Sequence, residues 1–267
     1  MMTKKTVKEH VESLYVDDYA ITEANEIDIE AISFDQGATV IERELKGCEA
    51  MIIGANDKAT ITINSKSNEA RKRFSIGHEL GHWFKDRGKV GNLCSKHDMD
   101  SPNGKSKMRE NIANSFASEL LIPNYLLIPK LTSSKLNLEL IRAISNDFNT
   151  SFIASLRRVI STNFHMGFFA IYKKNGSRRL FHANSDMPYS FLPPQQAPQG
   201  SLVYKRINGL SNESTEVIDG CIWCKDQWGD QSEVREQAFH YHDNEYITVV
   251  YWEQEEPIWQ CIEHKEN

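Results

Sequence analysis

The residues of this chain best suited to chemistry are two histidines and a glutamate in one short segment: His78, Glu79 and His82. Because residues four positions apart lie on one face of a helix, the two imidazoles can bind a single metal ion together. Glu79 lies about 100° around the helix from His78, so its carboxylate belongs beside the metal rather than among the ligands. A zinc ion held in this way acidifies water and the carboxylate takes the proton, which is the chemistry of metal-assisted hydrolysis.

The residues around this segment predict a buried helix, because apolar side chains recur at helical spacing. These side chains are Phe74, Ile76, Leu80, Trp83 and Phe84. Gly81 is unfavourable in a helix interior by roughly 1 kcal/mol relative to alanine, so we expect another backbone, that of a neighbouring strand, to pass close to it. In a later segment, the small Ala113 and Ala117 would let a second helix approach closely. A helix with a purely structural role is the alternative interpretation.

A catalytic zinc ion usually has a third protein ligand, and the next predicted helix, residues 109–123, offers two glutamates. Glu110 borders the apolar stripe of that helix, whereas Glu119 lies about 180° away and is expected to face water. Glu110 is therefore the better candidate, and Asn114, one turn further on, could support a ligand by hydrogen bonding. The alternative for Glu110 is an ordinary carboxylate near a helix N-terminus, where the helix dipole favours it.

Two separated segments together resemble the ImmA/IrrE family of zinc metallopeptidases. Members typically carry Arg-x-Arg-Phe-Thr-x-Ala-His-Glu-Leu-Gly-His and, further on, Glu-x-x-Ala-Asn-x-Phe-Ala-x-x-Leu-Leu-x-Pro. Here residues 71–82 read Arg-Lys-Arg-Phe-Ser-Ile-Gly-His-Glu-Leu-Gly-His, and residues 110–123 read Glu-Asn-Ile-Ala-Asn-Ser-Phe-Ala-Ser-Glu-Leu-Leu-Ile-Pro. The departures, Ser75 and Gly77, are mild, and the resemblance extends over roughly residues 10–160.

This resemblance implies a zincin in which one catalytic Zn²⁺ is bound by His78, His82 and Glu110, with Glu79 as the general base. It also implies a metalloendopeptidase whose partner is a helix-turn-helix transcriptional repressor of a mobile element or stress response. Two alternatives are a non-proteolytic, zinc-containing anti-repressor and a binding protein of a toxin–antitoxin module. Glu79 argues against binding alone, because a structural zinc site needs no base beside it.

The composition excludes several classes of protein. With 31 basic and 37 acidic residues the net charge is −6, which does not favour direct nucleic-acid binding. No run of 18 apolar residues occurs, so we expect no membrane span. The first residues lack an apolar signal segment, and the five cysteines, an odd number, fit reduced thiols. We therefore expect a cytoplasmic protein.

The pattern of apolar residues predicts an α+β chain of two domains. Residues 1–163 are expected to form the mainly helical, zincin-like metallopeptidase domain, with a small antiparallel sheet from alternating runs within residues 38–64. Residues 164–267 are expected to form a smaller β-rich module for sensing or substrate docking. Its predicted elements are a hairpin turn at Asn175-Gly176 and strand-like runs at Ser201–Arg206, Glu216–Trp223 and Tyr246–Trp252.

The cysteines leave two weaker hypotheses open. Cys94 lies in the polar stretch between the two motifs, either as a chance cysteine or as a regulatory thiolate that reaches the zinc. Cys221 and Cys224 have the spacing of a structural zinc pair, which Cys261 and His264 could complete.

Two groups of residues have a functional and a structural interpretation. Arg142, Arg157 and Arg158 could contact DNA, but solvated faces of packed helices are favoured. The aromatic residues of the second half could line a ligand cage, but a packed core is favoured. They are Trp223, Trp228, Tyr241, Tyr246, Tyr251, Trp252 and Trp259.

Overall fold

A computed structural model describes residues 6–86, 91–92, 105–224, 227–229 and 232–266. Contacts divide the chain into two compact units, the first comprising Met1–Lys135 and Leu140–Ser155, the second Leu136–Glu139 and Leu156–Asn267. The α+β class is confirmed, with a helical N-terminal part that holds a small sheet and a β-rich C-terminal part. The functional division between residues 1–163 and 164–267 stays a prediction.

Two helices of the first unit begin at residues whose side chains cap them. Thr6 starts the first helix with a capping box, in which its hydroxyl accepts from Glu9 N while the Glu9 carboxylate accepts from Thr6 N. Asp28 caps the second helix by accepting from Glu30 N and Ala31 N. The helices are α1 (Val7–Ser13), α2 (Ile29–Asp35), α3 (Glu69–Asp86), α4 (Lys105–Leu121) and α5 (Asn124–Thr132), and α6 (Leu138–Asp147) and α7 (Phe152–Ser161) span the division between the units.

The sheet of the first unit has the strand order β1-β3-β2-β4 among the described residues. Its strands are β1 (Ala38–Arg43), β2 (Ala50–Ala55), β3 (Lys58–Asn64) and β4 (Gly91–Asn92). β2 and β3 form the expected antiparallel hairpin, in which Asn56 takes a positive φ of 54°. β1, however, pairs with β3 in parallel, so the small sheet predicted as antiparallel contains one parallel pair. Short alternating runs show which residues form strands but not the direction in which they pair.

The second unit contains an antiparallel sheet of five strands in the order β6-β5-β9-β8-β7. The strands are β5 (Gly167–Lys173), β6 (Arg178–Ala183), β7 (Thr215–Asp219), β8 (Glu233–His240) and β9 (Glu245–Tyr251), and the helices are α8 (Leu202–Ile207) and α9 (Glu256–Glu266). The Asn175-Gly176 turn joins β5 to β6 as predicted, with Gly176 at a φ of +80°.

The predicted strand at Ser201–Arg206 is wrong, because these residues form most of α8. The Ser201 hydroxyl accepts from Tyr204 N at 3.2 Å, and the buried Glu236 carboxylate accepts from Leu202 N and Val203 N. These bonds satisfy the N–H groups that a helix leaves unpaired at its start. Glu236 belongs to β8, a strand that the pattern analysis did not find.

Aromatic residues fill the core of the second unit, as favoured from the sequence. Trp223, Tyr251 and Trp252 are at most 3% exposed, whereas Trp259 is 44% exposed on α9. Within the part of the chain that the structure describes, no helix combines the length and apolarity needed to cross a bilayer.

Candidate metal centre

Helix α3 brings the two histidines of the first motif together. His78 and His82 are one turn apart, and their Nε2 atoms lie 3.1 Å from each other. The ring planes meet at 82°, with centroids 4.8 Å apart, so both nitrogens point to the same place rather than stacking. The spacing of four residues therefore produces the convergence that helix geometry requires.

Helix α4 contributes the third side chain. Glu110 Oε2 lies 3.2 Å from His78 Nε2, and Glu110 Oε1 lies 3.4 Å from His82 Nε2. Glu119 does not reach this place, but the expectation that it faces water is wrong, since it is 5% exposed. Its Oε1 accepts from Asn124 N at 2.8 Å, because Pro123 ends one helix and the next begins there.

The two helices approach closely because small residues face each other in antiparallel order. A Cβ added to Gly81 would lie 3.1 Å from Ala113 Cα, and one added to Gly77 would lie 3.3 Å from Ala117 Cα. The backbone close to Gly81 is therefore that of a helix, not the expected strand. Since Glu110 lies one turn before Ala113, this contact places its carboxylate at the histidines.

The sheet side of α3 is set by Trp83, which is fully buried. A Cβ on Gly54 of β2 would lie 2.5 Å from Trp83 Cζ3, so only glycine accommodates the indole ring there. The indole Nε1–H donates to Gln36 O at 2.9 Å. Trp83 thus fixes α3 against the sheet and, with it, the orientation of His82 one residue before.

The separations within this group suit a metal ion. Tetrahedral zinc, with ligands at about 2.0–2.1 Å, holds its ligand atoms about 3.3–3.4 Å apart. The observed nitrogen–nitrogen and nitrogen–oxygen distances are 3.1, 3.2 and 3.4 Å. Within the described ranges, His78, His82 and Glu110 form the one group of three or more His, Cys, Asp or Glu side chains that can hold a metal ion. Imidazole and carboxylate together are a donor set that zinc accepts.

The hydrogen bonding of His78 points to the same conclusion. Its Nδ1 lies 3.0 Å from Asn114 Oδ1, and an amide oxygen only accepts, so Nδ1 carries the hydrogen. In a neutral ring, Nε2 then has a lone pair, and this lone pair faces a carboxylate that also only accepts. A positive charge between the two, either a proton or a metal ion, is required to satisfy them.

Burial differs across the group. The side chain of His82 is 1% exposed, while those of His78 and Glu110 are 16% and 34% exposed. The group is therefore accessible from its Glu110 side. Glu79, 3% exposed, lies on α3 between the histidines in sequence and is not among the three convergent side chains.

The other metal hypotheses find no support in the described residues. Cys221, Cys224 and Cys261 are not in disulfides there, and neither they nor His264 join a metal-binding group. Cys94 lies outside the described residues.

Comparison with known proteins gives one family and one fold. The family model Peptidase_M78, described as the IrrE N-terminal-like domain, matches residues 22–159, just over half of the chain. A solved structure of a Mycobacterium tuberculosis transcriptional regulator is similar, with a TM-score of 0.60 and 13% sequence identity, over 92% of this chain and 76% of that chain. At this identity the likeness concerns the fold alone. None of the curated proteins matches the sequence.

Proposed function

Because this chain belongs to the Peptidase_M78 (IrrE N-terminal-like) family, we propose that it is a zinc-dependent endopeptidase acting on a protein partner. The family expected from the two motifs is thereby confirmed. The observation that carries the proposal is the convergence of His78, His82 and Glu110 at separations of 3.1–3.4 Å, with the buried Glu79 next in sequence to one ligand.

In this proposal His78, His82 and Glu110 hold the ion and Glu79 handles the proton. Zinc, when bound, supplies Lewis acidity that lowers the pKa of water toward about 7 and polarises the peptide carbonyl. The Glu79 carboxylate takes the proton of the attacking water and passes it to the leaving amine.

The proposed substrate is a helix-turn-helix transcriptional repressor, the partner class implied by the motif resemblance. The similar solved structure is that of a transcriptional regulator, which is compatible with a regulatory role. An extended segment of the partner could add to the sheet of the first unit, at whose edge, among the described residues, β4 pairs with Ile53 and Gly54 of β2. Such strand addition uses main-chain hydrogen bonds and lets side-chain pockets select the sequence.

The deciding experiment incubates the purified chain with the helix-turn-helix regulator encoded beside its gene. We expect discrete fragments of the regulator that disappear with a chelator and return with added zinc. Glu79→Gln should keep one zinc per chain but lose roughly 10²–10⁴-fold in cleavage rate, the usual contribution of general acid–base catalysis. Glu69→Gln, at the exposed start of the same helix, is the matched control and should cleave normally.

The competing function is binding without hydrolysis, as in an anti-repressor or a toxin–antitoxin pair. A stable complex with an intact regulator, equally tight for wild type and Glu79→Gln, would establish that function and end the peptidase proposal. Cleavage by Glu79→Gln at the wild-type rate would instead remove Glu79 from the mechanism.

A further inference from the structure

A second cluster of polar side chains lies in the second unit, where Arg157 and Ser161 of α7 contact side chains of β5 and β6. Arg157 and Ser161 are one turn apart on α7. The Arg157 guanidinium lies 5.8 Å from the ring centroid of the fully buried Phe169. His182, on β6, lies 6.2 Å from the same ring, and its Nε2 is 2.7 Å from Ser161 Oγ. Phe169 is thus a common apolar floor beneath an arginine and a histidine.

A β-bulge adds a second arginine to this cluster. Tyr172 pairs with Arg178, but the next pair is Ile171 with Leu180, so Arg179 is an extra residue in β6. The Arg178 guanidinium lies 4.3 Å from the ring of Phe181, which packs on the aromatic core. Arg179 instead reaches Glu245, with Nε 2.6 Å from the carboxylate.

The cluster gathers more positive charge than its own acids neutralise. Burial and the nearby charge of Arg179 lower the pKa of Arg157, and burial and the charge of Arg157 lower the pKa of His182. Glu245 pairs with Arg179, but within the described part of the chain Arg157 makes no ion pair. Arg157 and Arg179 are both exposed, so an anion from solvent can reach the positive charge that Glu245 leaves unbalanced.

We propose that Arg157, Arg179, His182 and Ser161 bind the phosphate group of a small ligand. Their donors come from a helix and from a strand, so they approach a central anion from different directions. A tetrahedral phosphate has oxygens in all of these directions, whereas the two oxygens of a carboxylate lie in one plane with a single guanidinium fork. Because the Ser161 hydroxyl and His182 Nε2 are hydrogen-bonded to each other, this pair has one further O–H or N–H to donate to the anion. This inference is independent of the peptidase proposal.

The test is calorimetric titration of the full chain at low salt with inorganic phosphate and, separately, with adenosine 5′-monophosphate. We expect saturable binding of both, weakened by added salt. Arg157→Gln should weaken it roughly tenfold or more, the usual effect of losing a hydrogen bond to a charged group. Arg179→Gln should also weaken binding, and this variant tests the proposal if Arg157→Gln does not fold. Arg142→Gln, an exposed arginine of α6, is the matched control and should bind normally.

Tighter binding of the nucleotide than of phosphate would identify a phosphomonoester as the ligand class, and equal binding would identify free phosphate. Three results with these two probes and variants would overturn the proposal. The first is that wild type shows no saturable binding at millimolar phosphate. The second is that Arg157→Gln and Arg179→Gln both bind with the wild-type affinity. The third is that Arg142→Gln weakens binding as much as these two variants do. A DNA duplex that binds far more tightly than either probe would also overturn it, in favour of a nucleic-acid site.

Discussion

Glu110 in the first unit and Glu236 in the second are both carboxylates among polar partners, but those partners are of opposite kinds. The Glu110 oxygens lie 3.2 and 3.4 Å from two imidazole nitrogens. In a neutral His78 ring, Nε2 has no hydrogen because Nδ1–H donates to Asn114 Oδ1. The Glu236 oxygens each accept two hydrogen bonds, and the residue is 0% exposed. The donors are Leu202 N and Trp223 Nε1 to Oε2, and Val203 N and Thr248 Oγ1 to Oε1.

The difference separates a ligand site from a structural anchor. Acceptors that face acceptors need a cation, so the Glu110 group is stable only with a proton or a metal between its members. Acceptors that face donors are already satisfied, so Glu236 holds the start of α8 and the Trp223 indole without any ligand. Burial of a polar residue indicates function only when its neighbours cannot complete its hydrogen bonds.

The largest effect is expected for His82→Ala, which tests metal binding by the Glu110 group. We expect zinc content after dialysis to fall from about one ion per chain to almost none, because a three-ligand site loses its most buried member. Added zinc should then no longer raise the unfolding midpoint, as ligand linkage requires for the wild type. His242→Ala, at an exposed position of the second unit, should retain both properties. Zinc content unaffected by His82→Ala would place the metal elsewhere.

Glu236→Gln tests whether Glu236 is a structural anchor. Because both oxygens accept from two donors, an amide must place its NH₂ against donors whichever way it is turned. We expect the free energy of unfolding to fall by about 2–3 kcal/mol, with zinc affinity unchanged. Glu233→Gln, an exposed residue of the same strand, should change it by less than about 0.5 kcal/mol. Equal stability of the two variants in urea titrations would refute the anchor.

Asn114→Ala tests the hydrogen bond that orients His78, one of the proposed zinc ligands. Loss of the Oδ1 contact frees the His78 ring to change tautomer and orientation, so zinc affinity should fall roughly 10–100-fold in competition with a chelating dye. Asn114→Asp, which retains an acceptor oxygen, should recover most of the loss. Asn111 is exposed on the same helix, and the Asn111→Ala variant should bind zinc normally. If it weakened zinc binding as much as Asn114→Ala, the effect would belong to the helix rather than to the hydrogen bond.

Gly81→Ala has the smallest expected effect, because two opposing terms nearly cancel. Alanine stabilises a helix interior by about 1 kcal/mol relative to glycine, whereas overpacking costs about 1–3 kcal/mol. The added methyl would lie 3.1 Å from the Ala113 backbone, which cannot rotate away, so we expect a net loss of about 1 kcal/mol and weaker zinc binding. Gly77→Ala, with its nearest contacts at 3.3 Å, should be close to neutral. A gain in stability in Gly81→Ala would show that α3 and α4 have room to separate.

Much of the candidate site in the first unit could be predicted because it depends on the spacing of residues within single helices. The spacing of His78 and His82 determines their shared helix face, and the apolar stripe of α4 favoured Glu110 over Glu119. The burial of Glu119 could not be predicted in this way. It depends on Asn124, which lies in a different helix and whose N–H had to be satisfied.

In the second unit the local signal was weaker. The Asn175-Gly176 turn was recognisable because a tight hairpin requires positive φ. The residues of α8 alternate like a strand, and only their contact with Glu236, more than thirty residues away, shows that their first N–H groups are capped.

Patterns in the amino-acid sequence predict the residue types and spacings of the candidate site, the helices that carry them and the family to which they belong. These depend on helix periodicity and on motif order, both of which are local along the chain. The tertiary structure decided the distances of 3.1–3.4 Å between ligand atoms, the parallel pairing of β1 with β3 and the gathering of Arg157, Arg179 and His182 in one cluster. These features arise where segments distant in sequence pack together, and which segments meet depends on the shape of the whole core rather than on any local pattern.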